Sequence, residues 1–148
     1  MTLFAKENMI LDIQGTTQKE VLAELAAKAK ALGVVKDADT LVADYLDREA
    51  ESTTGFGNGV AIPHAKTANN LTATILFARS KHPVEWNSLD GKPVETWISL
   101  IVPDQEAGLH LQLLAKLSRQ LVHPEFVDTL INGSADEVYD KISGIVNA

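Results

Sequence analysis

The stretch Ser52–Lys66 presents a single histidine, His64, behind three glycines and a proline. The glycines lie within five positions, so the backbone there can turn tightly and approach another group closely. Pro63 fixes its own φ and biases the residue before it towards an extended conformation, which stiffens the backbone leading into His64. We therefore expect a rigid segment from which an imidazole projects.

Two further side chains could reach the same place. A helical pattern predicts a helix from near Asp37 or Asp39 to about Ala50, with Arg48 on its apolar face in the last turn. His110 falls in the first turn of a later predicted helix, where open α/β sheets commonly border a ligand. Each residue also has an ordinary explanation: an arginine commonly extends along an apolar face to solvent, and a buried histidine commonly only completes a core.

A site made of His64, His110 and Arg48 would suit a dianionic phosphoryl group, since we expect no carboxylate beside these three side chains. A neutral histidine with a pKa near physiological pH can accept a phosphoryl group and release it again. Arginine and the unpaired N–H groups of a helix N-terminus would stabilise negative charge during the transfer.

Composition narrows the classes of protein further. With 148 residues, 45% apolar and 22% charged, the chain predicts one domain over residues 1–148. A net charge of −7 without a basic stripe argues against a nucleic-acid partner. No apolar run is long enough for membrane insertion, no secretory signal is recognisable, and the absence of cysteine fits a reducing compartment. We therefore expect a cytoplasmic protein.

Three other kinds of site fit the sequence less well. A zinc site built from the four histidines is an alternative, but no pair has H-x-x-x-H spacing and no cysteine could assist. The glycine run lacks the Gly-Lys-Ser/Thr ending of a P-loop, and it precedes a strand-like run, unlike a dinucleotide-binding loop. His82 and His123 each lie beside a proline and look like turn or helix-start residues, so we assign them no role.

The alternation of strand and helix patterns predicts a single α/β domain. Capping-box patterns at Thr17 and Ser134 indicate the starts of two helices, and Gly33 marks a helix end. Lys81–Pro93 has the composition of an irregular segment. The predicted strands are Met9–Ile13 at an edge, Leu71–Arg79 and Val94–Val102, and the later helices are predicted at about 109–121, 125–131 and from 135 onwards.

The run Glu49–Ala65, which ends in Val60-Ala61-Ile62-Pro63-His64-Ala65, resembles the active-site signature of the fructose/mannitol-type enzyme IIA (EIIA) of the bacterial phosphoenolpyruvate:sugar phosphotransferase system. The similarity covers nearly the whole chain, and it includes Leu89-Asp90-Gly91-Lys92-Pro93-Val94 and His110-Leu111. The resemblance implies the family fold, which is a mixed, mostly parallel sheet of about five strands between helices.

For the site, the resemblance implies a relay. His64 would accept a phosphoryl group on Nε2 from the small carrier HPr while a backbone carbonyl holds its other ring nitrogen. It would pass the group to a IIB domain, which phosphorylates a sugar, expected to be of the fructose type, during transport by the membrane IIC component. Arg48 and His110 would bind the phosphate and assist catalysis, and Thr53 and Thr54 would donate hydroxyl hydrogen bonds to it. The resemblance implies neither a metal nor an organic cofactor, since the group moves between histidines.

A regulatory relative is the alternative function. In nitrogen-related IIA proteins and IIA-like modules of transcription regulators, the phosphorylation state of the same histidine controls partner proteins. The site chemistry would be identical, so the motifs do not separate the two functions.

Overall fold

The computed structural model describes residues 2–147, which fold around one mixed sheet. In chain order the elements are β1 (Met9–Ile10), α1 (Gln18–Ala31), α2 (Ala38–Glu51), β2 (Gly55–Gly57), β3 (Val60–Ala61), β4 (His64–Thr67), β5 (Thr74–Val84), β6 (Val94–Pro103), α3 (Ala107–Gln120), α4 (Pro124–Asn132) and α5 (Ala135–Val146). A 3₁₀ turn, Lys6–Asn8, leads into β1.

The sheet has six strands in the order β1-β5-β6-β3-β2, and β4 pairs with β6 as well. The pairings of β1 with β5 and of β3 and β4 with β6 are parallel, whereas β2 with β3 and the long central pair β5–β6 are antiparallel. The predicted α/β class and mixed sheet are confirmed, with six strands in place of about five. The expected edge strand is present as β1, although it is only two residues long.

Helices cover both faces of the sheet, as predicted. One apolar cluster joins the sheet to α3, α4 and α5, and it includes Leu113, Phe126 and Ile142. The other joins the opposite face to α1 and α2, and it includes Leu25 and Tyr45. The continuous apolar run in β6 is explained by this arrangement, because the central strand is buried on both faces.

The helix starts follow from their caps. The Thr17 hydroxyl accepts a hydrogen bond from the backbone N–H of Glu20, and the Asp37 carboxylate accepts one from Thr40. Ser134 and Glu137 form the predicted capping box reciprocally. The third helix, α3, begins at Ala107, two residues before its predicted start at about 109.

The strand prediction was wrong at both ends of β5. The strand starts at Thr74, three residues later than predicted, and continues to Val84, through the start of the segment predicted to be irregular. A register shift after Arg79 interrupts the pairing with β6, and the ladder resumes where Val84 faces Val94. Such an irregularity breaks the alternation that a strand prediction relies on.

The glycine-rich segment forms a hairpin and then a broken strand. Asn58 and Gly59, with φ of 58° and 83°, make the tight turn between β2 and β3. Next, β3 and β4 pair in turn with the same edge of β6 and are separated only by Ile62 and Pro63. Ile62 donates its N–H to the Thr54 carbonyl, on the side away from β6 (3.0 Å). This break positions His64 at the start of β4.

Candidate functional site

His64 is the first residue of β4, directly after the break, and its side chain is 8% exposed. The ring nitrogen Nδ1 lies 2.8 Å from the carbonyl oxygen of Ile62. Because a carbonyl oxygen can only accept, the ring proton must lie on Nδ1 and the lone pair on Nε2. The backbone therefore fixes the tautomer in which Nε2 can act as a nucleophile.

Arg48 lies in the last turn of α2 and turns into the site. Its Nε donates a hydrogen bond to Nε2 of His64 at 2.9 Å, and its Nη1 donates to the backbone carbonyl of Ser52 at 2.8 Å. The guanidinium is thus held by the helix end and by the imidazole together. The alternative in which Arg48 extends along an apolar surface to solvent is not observed.

His110 lies in the first turn of α3 and faces His64, with ring centroids 5.2 Å apart and planes tilted by 53°. The ring is 7% exposed, and its Nδ1 is buried with no hydrogen-bond partner among residues 2–147. No hydrogen bond within those residues engages Nε2 either, so this nitrogen is available to a ligand.

The surroundings of both imidazoles favour their uncharged form. Burial is the main cause that lowers the pKa of His64, and the Arg48 cation lowers it further against the opposing effect of the Ile62 carbonyl. Burial, with the neighbouring His64, Lys66 and Arg48, lowers the pKa of His110 to about 4. An imidazole held neutral keeps the lone pair that a nucleophile needs.

His64, His110 and Arg48 line a pocket of about 410 Å³, which also contains three carboxylates: Asp44, Asp47 and Glu51. The expectation that no carboxylate lies nearby was wrong. On α2 these residues lie four before, one before and three after Arg48, and helical geometry places the first and last beside it. The hydroxyl of Thr67 donates to Asp44 across the pocket wall at 2.7 Å.

Thr53 and Thr54 border a second pocket of about 250 Å³, whose lining also includes Arg48 and His64. The Thr53 hydroxyl donates to the carbonyl of Trp86 at 3.1 Å. The Thr54 hydroxyl donates to the Glu49 carboxylate. A hydroxyl has only one hydrogen to donate, and each threonine already donates its hydrogen to one of these acceptors. This geometry therefore does not favour the predicted donation from either threonine to a phosphate. Sequence reasoning missed Glu49, although it stands at the start of the signature run.

The remaining histidines lie elsewhere. Nε2 of His82 lies 3.0 Å from the carbonyl oxygen of Gly15, and Nδ1 of His123 lies 4.0 Å from a carboxylate oxygen of Glu125. Within residues 2–147, no group of three or more histidine, aspartate or glutamate side chains is arranged to hold a metal ion. In the same part of the chain, no helix has both the length and the apolar character needed to cross a membrane.

The fold and site together define a class: an α/β protein with a mixed sheet that holds an imidazole beside a guanidinium in a pocket. The chain matches the family "Phosphoenolpyruvate-dependent sugar phosphotransferase system, EIIA 2" over residues 2–144. It therefore belongs to this EIIA family, as the resemblance implied.

Relatives and solved structures agree with that assignment. The chain is 37% identical to the "PTS system fructose-like EIIA component" of Escherichia coli over 128 residues, which is 86% of each chain. The crystal structure of the nitrogen regulatory protein IIA-Ntr from Neisseria meningitidis is similar with a TM-score of 0.88 and 29% identity, covering 95% of this chain and 96% of that one. A further neighbour, at 22% identity and a TM-score of 0.80 over 96% and 99% of the two chains, is the Escherichia coli mannitol IIA in complex with phosphorylated IIB.

Proposed function

We propose that this protein is a phosphocarrier that accepts a phosphoryl group from phospho-HPr on Nε2 of His64 and passes it to a IIB domain. The observation that carries the proposal is the pair of hydrogen bonds on the His64 ring. One bond, from Nδ1 to the Ile62 carbonyl, fixes the proton, and the other, from Arg48 to Nε2, places a cation at the reactive nitrogen. A fructose-type sugar is the best-supported final acceptor, because the fructose-like EIIA component is 37% identical to this chain.

The transfer follows from the tautomer. The Nε2 lone pair attacks phosphorus in line as the nitrogen–phosphorus bond to the donor histidine breaks, and the donor nitrogen takes the departing electron pair. The proton on Nδ1 of His64 stays in place, so the phosphorylated ring carries positive charge. The Ile62 carbonyl, which already accepts that N–H, stabilises this charge without moving.

Arg48 has two successive parts to play. In the resting site its Nε–H occupies the Nε2 lone pair, so it must release Nε2 before the new bond forms. The guanidinium can then donate to the equatorial oxygens of the phosphoryl group, where charge-assisted hydrogen bonds are strongest. Neutral His110, whose Nε2 is free of partners within residues 2–147, donates to a third oxygen when its proton lies on that nitrogen.

The surroundings of the site suit protein partners. Leu89 and Leu111, on the loop after β5 and in the first turns of α3, are 77% and 66% exposed. Leu89 borders the second pocket together with Phe56 and Leu114. Exposed apolar residues beside a reactive histidine are suited to binding a second protein, and the mannitol IIA relative was solved with a phosphorylated IIB. We accordingly propose HPr and IIB as successive partners in the cytoplasm, with IIB acting at a membrane IIC component.

A regulatory role is the second candidate, and the similarity to IIA-Ntr favours it. The two functions predict different acceptors for the phosphoryl group. A carrier must donate the group rapidly to a IIB domain, whereas a regulator can retain it while its partner reads the phosphorylation state.

Phosphorylation with labelled phosphoenolpyruvate, enzyme I and HPr tests the proposal. We expect one acid-labile phosphate per chain, loss of label in His64→Ala, and transfer of the label to a fructose-type IIB domain. His82→Ala is the matched control, since His82 lies outside the site and should label normally. Full labelling of His64→Ala would refute the assignment of the acceptor, and labelling without transfer to any IIB domain would favour the regulatory role.

A further inference from the structure

The carboxylate of Glu49, in the last turn of α2, makes no hydrogen bond with the His64 ring, but it binds Thr54 in the segment that leads to this ring. Its Oε1 accepts the backbone N–H of Thr54 at 2.9 Å, and its Oε2 accepts the Thr54 hydroxyl. The same hydroxyl oxygen accepts a hydrogen bond from Nε1 of Trp86 at 3.2 Å. Thr54 and Trp86 are 8% and 1% exposed, so water cannot easily replace these bonds.

From Thr54 the connection runs through the backbone to His64. The Thr54 carbonyl accepts the N–H of Ile62 at 3.0 Å, and the Ile62 carbonyl accepts Nδ1–H of His64 at 2.8 Å. Pro63 lies between Ile62 and His64 and fixes φ there. Thr54 thus holds Ile62 through the Ile62 N–H, and the Ile62 carbonyl in turn holds the His64 ring.

The last turn of α2 therefore acts on both nitrogens of one ring. Arg48 contacts Nε2 directly, and its neighbour Glu49 reaches Nδ1 through Thr54 and Ile62. Because the end of α2 contacts one ring nitrogen directly and the other through Thr54 and Ile62, it fixes both the position of the His64 ring and the location of its proton.

We propose that Glu49 is a positioning residue for His64, and that it acts by holding the Thr54–Ile62 backbone that keeps the ring proton on Nδ1. The inference rests on the proposed function in one respect: the proposed function makes Nε2 of His64 the reacting atom. When this support is lost, the Ile62 carbonyl can shift and no longer fixes the ring proton. As Arg48 moves off Nε2, the ring can then take up the other tautomer, in which Nε2 carries the proton and cannot attack.

A carboxylate is suited to this position because it only accepts. Glu49 receives two hydrogen bonds from Thr54 at once, one at each oxygen. A glutamine would keep one acceptor but present an NH₂ group to the Thr54 hydroxyl. That hydroxyl would then have to accept from the amide as well as from Trp86 and would lose the acceptor for its own hydrogen.

Glu49→Gln is the primary test, with two measurements. Nitrogen-15 NMR of the His64 ring in the unphosphorylated protein should show a single Nδ1–H tautomer in the wild type and a mixture in the variant. Single-turnover transfer from phospho-HPr should slow by about 10- to 100-fold, the scale of a small misplacement of a reacting group. Glu137→Gln is the matched control, because Glu137 also accepts a backbone N–H but lies in the capping box of α5. In this variant the His64 tautomer and the transfer rate should equal those of the wild type.

Thr54 variants keep the proposal testable if Glu49→Gln folds poorly. Thr54→Ser retains the hydroxyl and should behave as the wild type, whereas Thr54→Val should reproduce the slow rate and the mixed tautomer. In the double variant of Glu49→Gln with Thr54→Val, the two losses of rate should not add, since both substitutions break the same contact between Glu49 and the Thr54 hydroxyl.

Two results would overturn the inference: a wild-type tautomer in both Glu49→Gln and Thr54→Val, whatever their rates, or fully additive losses in the double variant. Either outcome would leave the labelling of His64 in the wild-type protein unaffected. A failure of this inference is therefore distinguishable from a failure of the proposed function.

Discussion

Replacement of Arg48 has two opposing effects on the rate of phosphoryl transfer. In the resting site Arg48 donates to Nε2 of His64 at 2.9 Å, and this bond stabilises the unreacted histidine. In the transfer step the same guanidinium would stabilise charge on the phosphoryl oxygens. Arg48→Gln removes the cation from both states, so the observed change in rate is the difference between the two contributions.

The magnitude follows from typical values for each term. Loss of a preorganised donor to the transition state costs about 3–4 kcal/mol. Loss of a hydrogen bond from a charged donor in the ground state returns about 1.5–3 kcal/mol. The net increase in the barrier is then between about 0 and 2.5 kcal/mol, which slows transfer by at most roughly 70-fold and does not abolish it.

The pH dependence provides an independent check on the same residue. The Arg48 cation lowers the pKa of His64, so that pKa should rise in Arg48→Gln. Protonated His64 has no free lone pair, so the acid limb of the pH–rate profile should move to higher pH. Arg48→Lys keeps the cation but not the planar fork, so its acid limb should stay near that of the wild type and its rate should be intermediate.

The assay is single-turnover transfer from phospho-HPr in a quenched-flow instrument between pH 5 and 8, with the His64 pKa followed by NMR. A loss of more than about 1,000-fold in Arg48→Gln would show that the ground-state bond offsets nothing, because the transition-state term alone reaches only that size. An acid limb that does not move in Arg48→Gln would refute the electrostatic argument.

Two further predictions concern stability. Because the folded-state pKa values of His64 and His110 are lowered, the unfolded chain binds more protons below about pH 6.5, and the free energy of unfolding should fall as the pH drops from about 6.5 towards 4. Urea unfolding should show that His110→Asn reduces this dependence, by at most about 3 kcal/mol, whereas an unchanged slope would contradict the lowered pKa. Gly55→Ala should destabilise by about 1–3 kcal/mol, because its Cβ would lie 2.8 Å from Cα of Ser88, while Gly144→Ala in α5, with open space around it, should stabilise by about 0.5–1 kcal/mol. Equal effects of the two glycine changes in thermal unfolding would show that the close approach at Gly55 is relieved at little cost.

Helices were the most predictable part of the fold. Their caps, such as Thr17 and the Ser134–Glu137 pair, are local signals that need no knowledge of the partner elements. The short strands β2 and β3 gave no such signal, because two or three residues rich in glycine cannot show an alternating pattern. Their conformation depends on pairing with β6 and with each other, which a local pattern does not contain.

The site was predictable where helix geometry determined it. Arg48 and His110 followed from the faces and ends of their helices, and the carboxylates Asp44 and Glu51 could have been found by the same spacing around Arg48. Glu49 could not be placed in this way, because its contact with Thr54 depends on how the chain reverses after α2.

The acidic lining of the large pocket bears on how strongly the protein would hold its phosphoryl group. Around His64 the pocket places three carboxylates against the cations of Arg48 and Lys66, so a dianion on Nε2 adds to a surplus of negative charge. The repulsion raises the free energy of the phosphorylated state and with it the group-transfer potential of the phosphohistidine. Under the proposed function, such a site would store the phosphoryl group poorly and donate it readily, as the proposed transfer to a IIB domain requires.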